Sequence, residues 1–319
     1  MEENQPILSV VICTYNREEF IGKTLLHLSQ MFLPFADFEA IVVNNNSTDS
    51  TEKICKDFIQ KHPEMQIKYC LETQQGHSYA RNRGIKEASG KYIAYIDDDA
   101  FVHQDFGSNI IRFFNENPKV NAIGGKIIPA YQNGKPRWMS HYLLPLVSAL
   151  DMGKSPKPFQ GRKFPVGANV TFRKSVFDRY GMFNVKLGRI GTGLMGGDEK
   201  EMIYRMKKNG EQIYYVPDVV VDHVIPPKRL QMDYIRGLAE GVGQSEKRRL
   251  HNESLLPKIS RTIEELIKIG GTFVLTFLYT LKGQWAKGWM LIKFRYWVMI
   301  GFLKKEEIFG LKPEDGSQK

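Results

Sequence analysis

Cysteine is scarce: Cys13, Cys55 and Cys70 are the only three in 319 residues, an odd number set in apolar runs. That excludes a disulfide framework and predicts buried free thiols with no chemistry of their own. Uninterrupted apolar runs of about 18 residues are also missing, so no segment reads as a clear membrane span. No basic stretch followed by an apolar one opens the chain. No secretory signal is therefore visible and a cytosolic protein is expected. The Asn-x-Ser/Thr sequences beginning at Asn45, Asn46, Asn169 and Asn252 would matter only in a secretory lumen. Catalytic signatures are absent too. There is no P-loop, no G-x-G-x-x-G after a strand, no G-x-S-x-G, no H-E-x-x-H and no paired C-x-x-C. ATPase, dinucleotide-binding, hydrolase and structural zinc readings lose their support.

What is present begins with charge. The net charge of +10 is uneven: from Pro226 onward 17 Lys/Arg stand against 10 Asp/Glu, and before it 28 stand against 25. A nearly neutral body with a basic, apolar tail points to an anionic membrane surface and away from nucleic acid. In that tail Thr272–Leu281 and Trp289–Leu303 are strongly apolar, interrupted by Lys282, Lys287, Lys293 and Arg295. Interfacial helices are expected, with Trp285, Trp289 and Trp297 at headgroup level and basic side chains reaching phosphates. A helical core or a homodimer interface is the alternative.

The first hundred residues alternate between short apolar runs and helical patterns. Strands are expected at Ile7–Cys13, Phe38–Val43, Gln66–Leu71 and Tyr92–Ile96. A helix is expected over Asn16–Phe32, with Asn16 as its cap and Glu19 three residues on. A second helix carries Ile54, Cys55, Phe58 and Ile59, and a third over Ser78–Ala88 presents Ala80, Gly84 and Ala88 for close approach. Strand–helix alternation implies an α/β fold with a mostly parallel sheet, whose ligands bind beyond the carboxyl ends of the strands. That rule selects Thr14–Arg17, Asn44–Asp49, Thr73–Gly76 and Asp97–Asp99, all polar. Further β-type runs occur at Ala122–Ile128 and Ile213–Val221, and from about Leu230 the pattern is helical.

Asp97-Asp98-Asp99 ends the most apolar strand. Adjacent carboxylates repel unless cations compensate, and Mg²⁺ or Mn²⁺ with oxygen ligands is the natural partner, usually shared with a substrate diphosphate. Asp198-Glu199 opens a helix whose buried stripe is Met202, Ile203 and Met206. By spacing Glu199 lies on that stripe, while Asp198, after Gly196 and Gly197 and with Glu201 at N3, reads as the cap. An inward carboxylate has its pKa raised toward that of a useful base, although the helix N-terminus opposes this. Asp198 remains the alternative base. His223 follows a β-type run, and His77 and Arg81 sit where a helix start and a guanidinium could face an anion.

Six segments, in order, now resemble the family 2 glycosyltransferases of the GT-A fold: SVVICTYNRE (9–18), VVNNNSTDST (42–51), QGHSYARNRGIKEASGKYIAYIDDD (75–99), VGANVTFRKSVFDRYGMF (166–183), GGDEKEMIYRMKKNG (196–210) and YVPDVVVDH (215–223). The resemblance implies a catalytic domain over 1–225, with a nucleotide-binding half to about residue 100 and an acceptor half after it. It leaves 226–319 as a helical region. It implies that Thr14 and Tyr15 line the nucleotide pocket with Arg17 beside them, and that Arg81, Asp97 and Asp98 lie at the donor. It implies that Asp97 and Asp99 form the metal-binding D-x-D, and that His223 completes the metal site. Asn45 stands where the family often has a base-contacting aspartate, and Asp198-Glu199 where it usually has Glu-Asp; alignment on Arg205 puts Glu199 at the base position.

The implied reaction is inverting transfer from a nucleoside-diphosphate sugar, UDP-sugar favoured, to a saccharide or lipid-linked acceptor for cell-surface polysaccharide. The implied place is the inner face of the cell membrane, as a peripheral protein. A nucleotidylyltransferase would want glycine in the loop after the first strand, where Thr14-Tyr15-Asn16-Arg17 has none. A non-catalytic, membrane-recruited binding protein would lack a base or metal carboxylate, and neither is missing.

Overall fold

The computed structural model describes residues 5–161, 163–189, 197–251 and 255–304; Gly196 and Asn252, named above, lie outside them. The chain forms two compact units. One holds the chain up to Asn133 together with Val147–Pro226, and the other holds Gly134–Leu146 with the chain from Pro227 onward.

In the first unit β1 (Leu8–Thr14), α1 (Ile21–Ser29), β2 (Phe38–Asn44), α2 (Thr51–Lys61), β3 (Ile67–Leu71), α3 (His77–Glu87) and β4 (Tyr92–Asp97) follow one another. The four strands are parallel in the order β3-β2-β1-β4. Then come β5 (Ala100–Val102), α4 (Phe106–Glu116), β6 (Ala122–Tyr131), β7 (Lys157–Pro158), β8 (Asn169–Arg173), α5 (Ser175–Tyr180), α6 (Asp198–Lys208) and β9 (Ile213–Ile225). They extend the sheet as β4-β8-β6-β9-β5, with β7 on β9. Strands β6 and β9 run with the first four, while β5, β7 and β8 run against them, so the sheet is mostly parallel.

Both faces of this sheet are covered, which is why its strands read as continuous apolar runs. Val10 and Ile12 of β1 pack with Ile21, Leu25, Phe106 and Ile110 on one face. Val11 and Ile93 pack with Ala80, Ile85, Met202 and Met206 on the other. Close approach of α3 to β1 requires Gly84: a Cβ there would stand 2.4 Å from Val11 Cγ1. The three cysteines are free, and burial pushes the Cys55 thiol up to about 12.

The first helix differs from expectation. It begins at Ile21, because Asn16 is not a cap. Asn16 adopts φ 53 and uses its side chain across the loops, accepting from Thr48 N at 2.8 Å while its own N donates to Ser47 Oγ at 2.9 Å. The end of β1 is thereby tied to the segment after β2.

A bulge sets the register of β9. Gly125 pairs with Val216 but Lys126 with Val220, leaving Pro217–Val219 out of the β6 ladder. Proline cannot donate to a ladder and is tolerated at such a bulge. Buried Asn169 bridges the break, its Nδ2 donating to Lys126 O and Val219 O at 3.0 Å each. Beyond the bulge His223 falls opposite Ala100 of β5.

In the second unit α7 (Met232–His251), α8 (Leu255–Leu281) and α9 (Trp285–Leu303) pack as α7 on α9 and α8 on α9. Among the described residues no helix is long and apolar enough to cross a membrane.

Gly84→Ala is expected to lower the stability of the protein by about 1–3 kcal/mol through overpacking against Val11. A urea unfolding midpoint unchanged from wild type would contradict this account of the α3–β1 contact.

Candidate functional site

The carboxyl end of β4 delivers Asp97, and the turn Asp98-Asp99 leads straight into β5. Because β5 pairs antiparallel with β9, and Val224 N donates to Asp99 O at 2.9 Å, the His223 imidazole is brought against the turn. His223 Nε2 lies 3.1 Å from Asp99 Oδ1 and 3.8 Å from Asp97 Oδ2. One ligand atom from each of Asp97, Asp99 and His223 falls within 4.8 Å of the others. Asp99 and His223 are buried, while Asp97 is about a third exposed at 33 %. The other ring nitrogen, Nδ1, lies 3.4 Å from Val147 O, a contact that orients the ring and leaves Nε2 for the acidic side. Two carboxylates and an imidazole form an oxygen-rich set that suits Mn²⁺ or Mg²⁺, and a cation there would relieve the repulsion of the acids.

Asp98 turns to a different partner. Arg17 Nε approaches its Oδ1 at 3.3 Å, and Arg17 Nη2 lies 3.6 Å from Asp99 Oδ2. Burial pushes the Asp98 carboxyl up to about 7, opposed by Arg17 and the Thr14 hydroxyl and reinforced by Asp99 and Asp97. The Asp98 carbonyl accepts from Thr24 Oγ1 at 2.6 Å, which pins the turn to α1.

A second cluster forms around Arg81 on α3, fully buried. Its Nη1 donates to Asp198 Oδ2 at 2.8 Å and to Glu199 Oε2 at 3.1 Å. Its guanidinium stands over the rings of Tyr95 and Phe183 at 5.6 and 5.3 Å. Gly167 leaves the room: a Cβ there would lie 2.2 Å from Arg81 Nη2. His77 Nδ1 is 3.6 Å from Asp198 Oδ2. The anion that faces His77 and Arg81 in this structure is thus Asp198.

The reading of Asp198 as a cap requires correction. Gly197, at φ 137, holds the cap position, Asp198 is the first helical residue, and Glu201 pairs with Arg205 at 2.7 Å. The order of burial is also reversed, with the Asp198 side chain 1 % exposed and that of Glu199 21 %. In a first helical turn the surroundings are set by what packs against the helix end, here Arg81 and His77, and not by the apolar stripe further on. Burial alone would raise the pKa of Asp198, but Arg81, the hydrogen bond with Glu199 and His77 outweigh it and hold Asp198 well below the usual carboxylate range. Glu199 goes the other way: burial raises it, Arg81 opposes, and the bond to and charge of Asp198 raise it further.

The two clusters share one electrostatic neighbourhood. Asp97 acts on both His77 and Arg81. The Cys13 thiol near the end of β1, raised by burial, feels Arg81, Asp198, Asp97 and Asp98 together.

The glycosyl transferase family 2 model matches residues 9–181, more than half of the chain. The chain belongs to glycosyl transferase family 2. It is similar to the glucosyl-dolichyl phosphate glucuronosyltransferase of Haloferax volcanii, at 24% identity over 229 residues, 72% of each chain. It is similar also to the dolichyl N-acetyl-alpha-D-glucosaminyl phosphate 3-beta-D-2,3-diacetamido-2,3-dideoxy-beta-D-glucuronosyltransferase of Methanococcus voltae, at 27% over 222 residues, 67% of this chain and 65% of that one. The mannosyltransferase PcManGT of Pyrobaculum calidifontis, solved in complex with GDP-Man and Mn²⁺, superposes with TM-score 0.62 at 17% identity, over 95% of this chain and 88% of that one. The resemblance drawn from the six motifs is borne out, and so is the GT-A fold.

In this transferase Thr14 is buried at the end of β1, with half-exposed Tyr15 after it. Asn45, where the family often has aspartate, has a defined task. Its Nδ2 donates to Glu72 O at 3.0 Å and Gln74 O at 2.7 Å, and its Oδ1 accepts from Gly76 N at 2.8 Å. An amide can do both, whereas a carboxylate only accepts. Asn45 therefore holds the loop before α3. Sequence reasoning missed Gly167, Tyr95 and Phe183 as the housing of Arg81. The one signal available was the glycine of the VGAN segment, which the structure places in a turn closed by Asn169 N donating to Val166 O at 2.9 Å.

Asn45→Asp removes two donors and sets a carboxylate against two carbonyls. The transferase is expected to lose about 1–3 kcal/mol of stability, read as a lower thermal midpoint. An equal or higher midpoint would show that the amide's two donations do not hold this loop.

Proposed function

We propose that this transferase is an inverting enzyme that moves a sugar from a nucleoside-diphosphate sugar, with uridine the favoured base, to a hydroxyl of a saccharide or lipid-linked acceptor in cell-surface glycan synthesis. The observation that carries the reading is the approach of Asp97, Asp99 and His223 to within 4.8 Å in the neighbourhood of the Arg81-linked acidic pair. The names of the two curated relatives, both transferring to dolichyl phosphate-linked sugars, support the acceptor class. The neighbour bound to GDP-Man and Mn²⁺ supports the donor class and a divalent ion.

Asp97, Asp99 and His223 would hold Mg²⁺ or Mn²⁺. When bound, such an ion neutralises charge that develops on a departing nucleoside diphosphate. Thr14 and Tyr15 line the nucleotide side, and Arg17 with Asp98 shapes the loop beneath it. Arg81 acts on the donor side through the acids that it holds. Glu199 accepts the proton of the acceptor hydroxyl as that oxygen bonds to the anomeric carbon. The anomeric C–O bond breaks on the opposite face, and its electron pair leaves with the diphosphate. One displacement through an oxocarbenium-like state inverts the centre. Asp198 suits this role less well: it is buried and ionised against Arg81, whereas Glu199 is more accessible and more basic.

The second unit supports attachment to the inner face of a membrane, through the exposed Trp285 and Trp289 and neighbouring basic residues. A homodimer through the same helices is the competing use.

Glu199→Gln is expected to lower kcat about 10²–10⁴-fold while donor binding is kept. The acidic limb of kcat/KM in the wild type should lie above 4.5, because activity needs the ionised form of a carboxyl whose pKa is raised. Turnover that is unchanged in the variant removes Glu199 as the base. Asp99→Ala should abolish Mn²⁺-dependent donor binding in calorimetry; a binding isotherm like that of the wild type would refute the metal assignment. A donor screen that reads nucleoside diphosphate release identifies base and sugar.

A further inference from the structure

The second unit contains a cleft of about 500 Å³ formed by the segment after Gly134 and the turn between α8 and α9. Lys135, Arg137, Trp285 and Lys287 are among the residues that line it. Among the described residues none of these three cations has a carboxylate partner. Lys287 Nζ donates to the neutral Gln284 at 3.0 Å and stands over the Tyr279 ring at 5.8 Å. Three cations around one concavity repel each other and favour an anion between them.

The helix that leads into this cleft carries a second unusual feature. Ile263, Ile267, Val274, Phe277 and Leu281 of α8 fall on one helical face, and each is more than half exposed. That face extends for about 27 Å at 1.5 Å per residue. Trp285 and Trp289, in the first turns of α9, are exposed as well, at 67 % and 53 %. A contiguous apolar face of this length marks an interaction surface. A helical protein partner would satisfy the apolar face and leave the cleft cations without anions. A bilayer interface answers both: acyl chains meet the α8 face, indole rings sit at headgroup level, and phosphates reach the cations.

We propose that the cleft of Lys135, Arg137 and Lys287 binds the phosphate of an anionic lipid headgroup while the apolar face of α8 lies in the bilayer interface. This inference rests on the membrane reading above and adds a specific headgroup site to it.

The test is co-sedimentation of the full chain with vesicles of phosphatidylglycerol and, separately, of phosphatidylcholine. Wild-type protein is expected to prefer phosphatidylglycerol, and millimolar inorganic phosphate should not displace it. The double variant Lys135→Gln/Arg137→Gln should lower partition onto phosphatidylglycerol about thirtyfold, leave residual phosphatidylcholine binding unchanged, and keep Mn²⁺-dependent donor binding. Lys287→Gln should lower it about fivefold and carries the test if the double variant loses its thermal midpoint. Undiminished phosphatidylglycerol binding by the variants overturns the headgroup site but leaves the membrane reading standing. Failure of the wild type to bind either vesicle overturns both. Displacement by inorganic phosphate assigns the cleft to a free anion and overturns the lipid source. A dimer in light scattering that fails to bind vesicles assigns the α8 face to a second copy and overturns the proposal.

Discussion

Three consecutive carboxylates stand at the end of β4, where the sheet is covered on both faces. Asp98 and Asp99 are buried there, and like charges in such a place need positive partners. Arg17 supplies one, reaching both acids from the loop after β1. The β5–β9 pairing sets the His223 imidazole beside Asp99, where a bound cation would meet both side chains. Most of the surrounding architecture serves that meeting. The bulge at Pro217–Val219 fixes the register that puts His223 there, and Asn169 bridges the break by donating to Lys126 O and Val219 O. Thr24 holds the Asp98 carbonyl from α1.

A second charge arrangement works by division. Arg81, enclosed by Tyr95, Phe183 and Gly167, bonds to both Asp198 and Glu199 but more closely to Asp198. Their environments move the two carboxyls apart, Asp198 down and Glu199 up. Adjacent acids with opposite shifts can hold different tasks, one as a fixed counter-ion and the other as a proton acceptor. On the proposed reaction this division is what makes Glu199 the base.

Much of the sheet was legible because buried parallel strands must be apolar on both faces. The first four strands begin and end within about a residue of where the apolar runs place them, and the polar segments after them lie at the carboxyl ends as the topology rule requires. What was not legible depended on distant partners. Asn16 has the spacing of a helix cap, yet its side chain serves Thr48 across a loop. Asp198 has the spacing of a cap with Glu201, yet it is drawn inward by Arg81, which lies 117 residues away. Local pattern reports helix ends only when no tertiary charge claims the capping side chain. The housing of Arg81 and the cation-lined cleft of the second unit combine residues far apart in sequence, so no local period could announce them.

The central claim is that Asp97, Asp99 and His223 hold a divalent ion for a nucleotide-linked donor. Anomalous scattering from crystals grown with Mn²⁺ and a nucleoside diphosphate addresses it directly. The account expects one strong peak within about 2.0–2.4 Å of an Asp99 oxygen and of His223 Nε2, with diphosphate oxygens completing the shell. A nucleotide bound at the ends of β1 and β2 with no manganese peak beside Asp99 would contradict it.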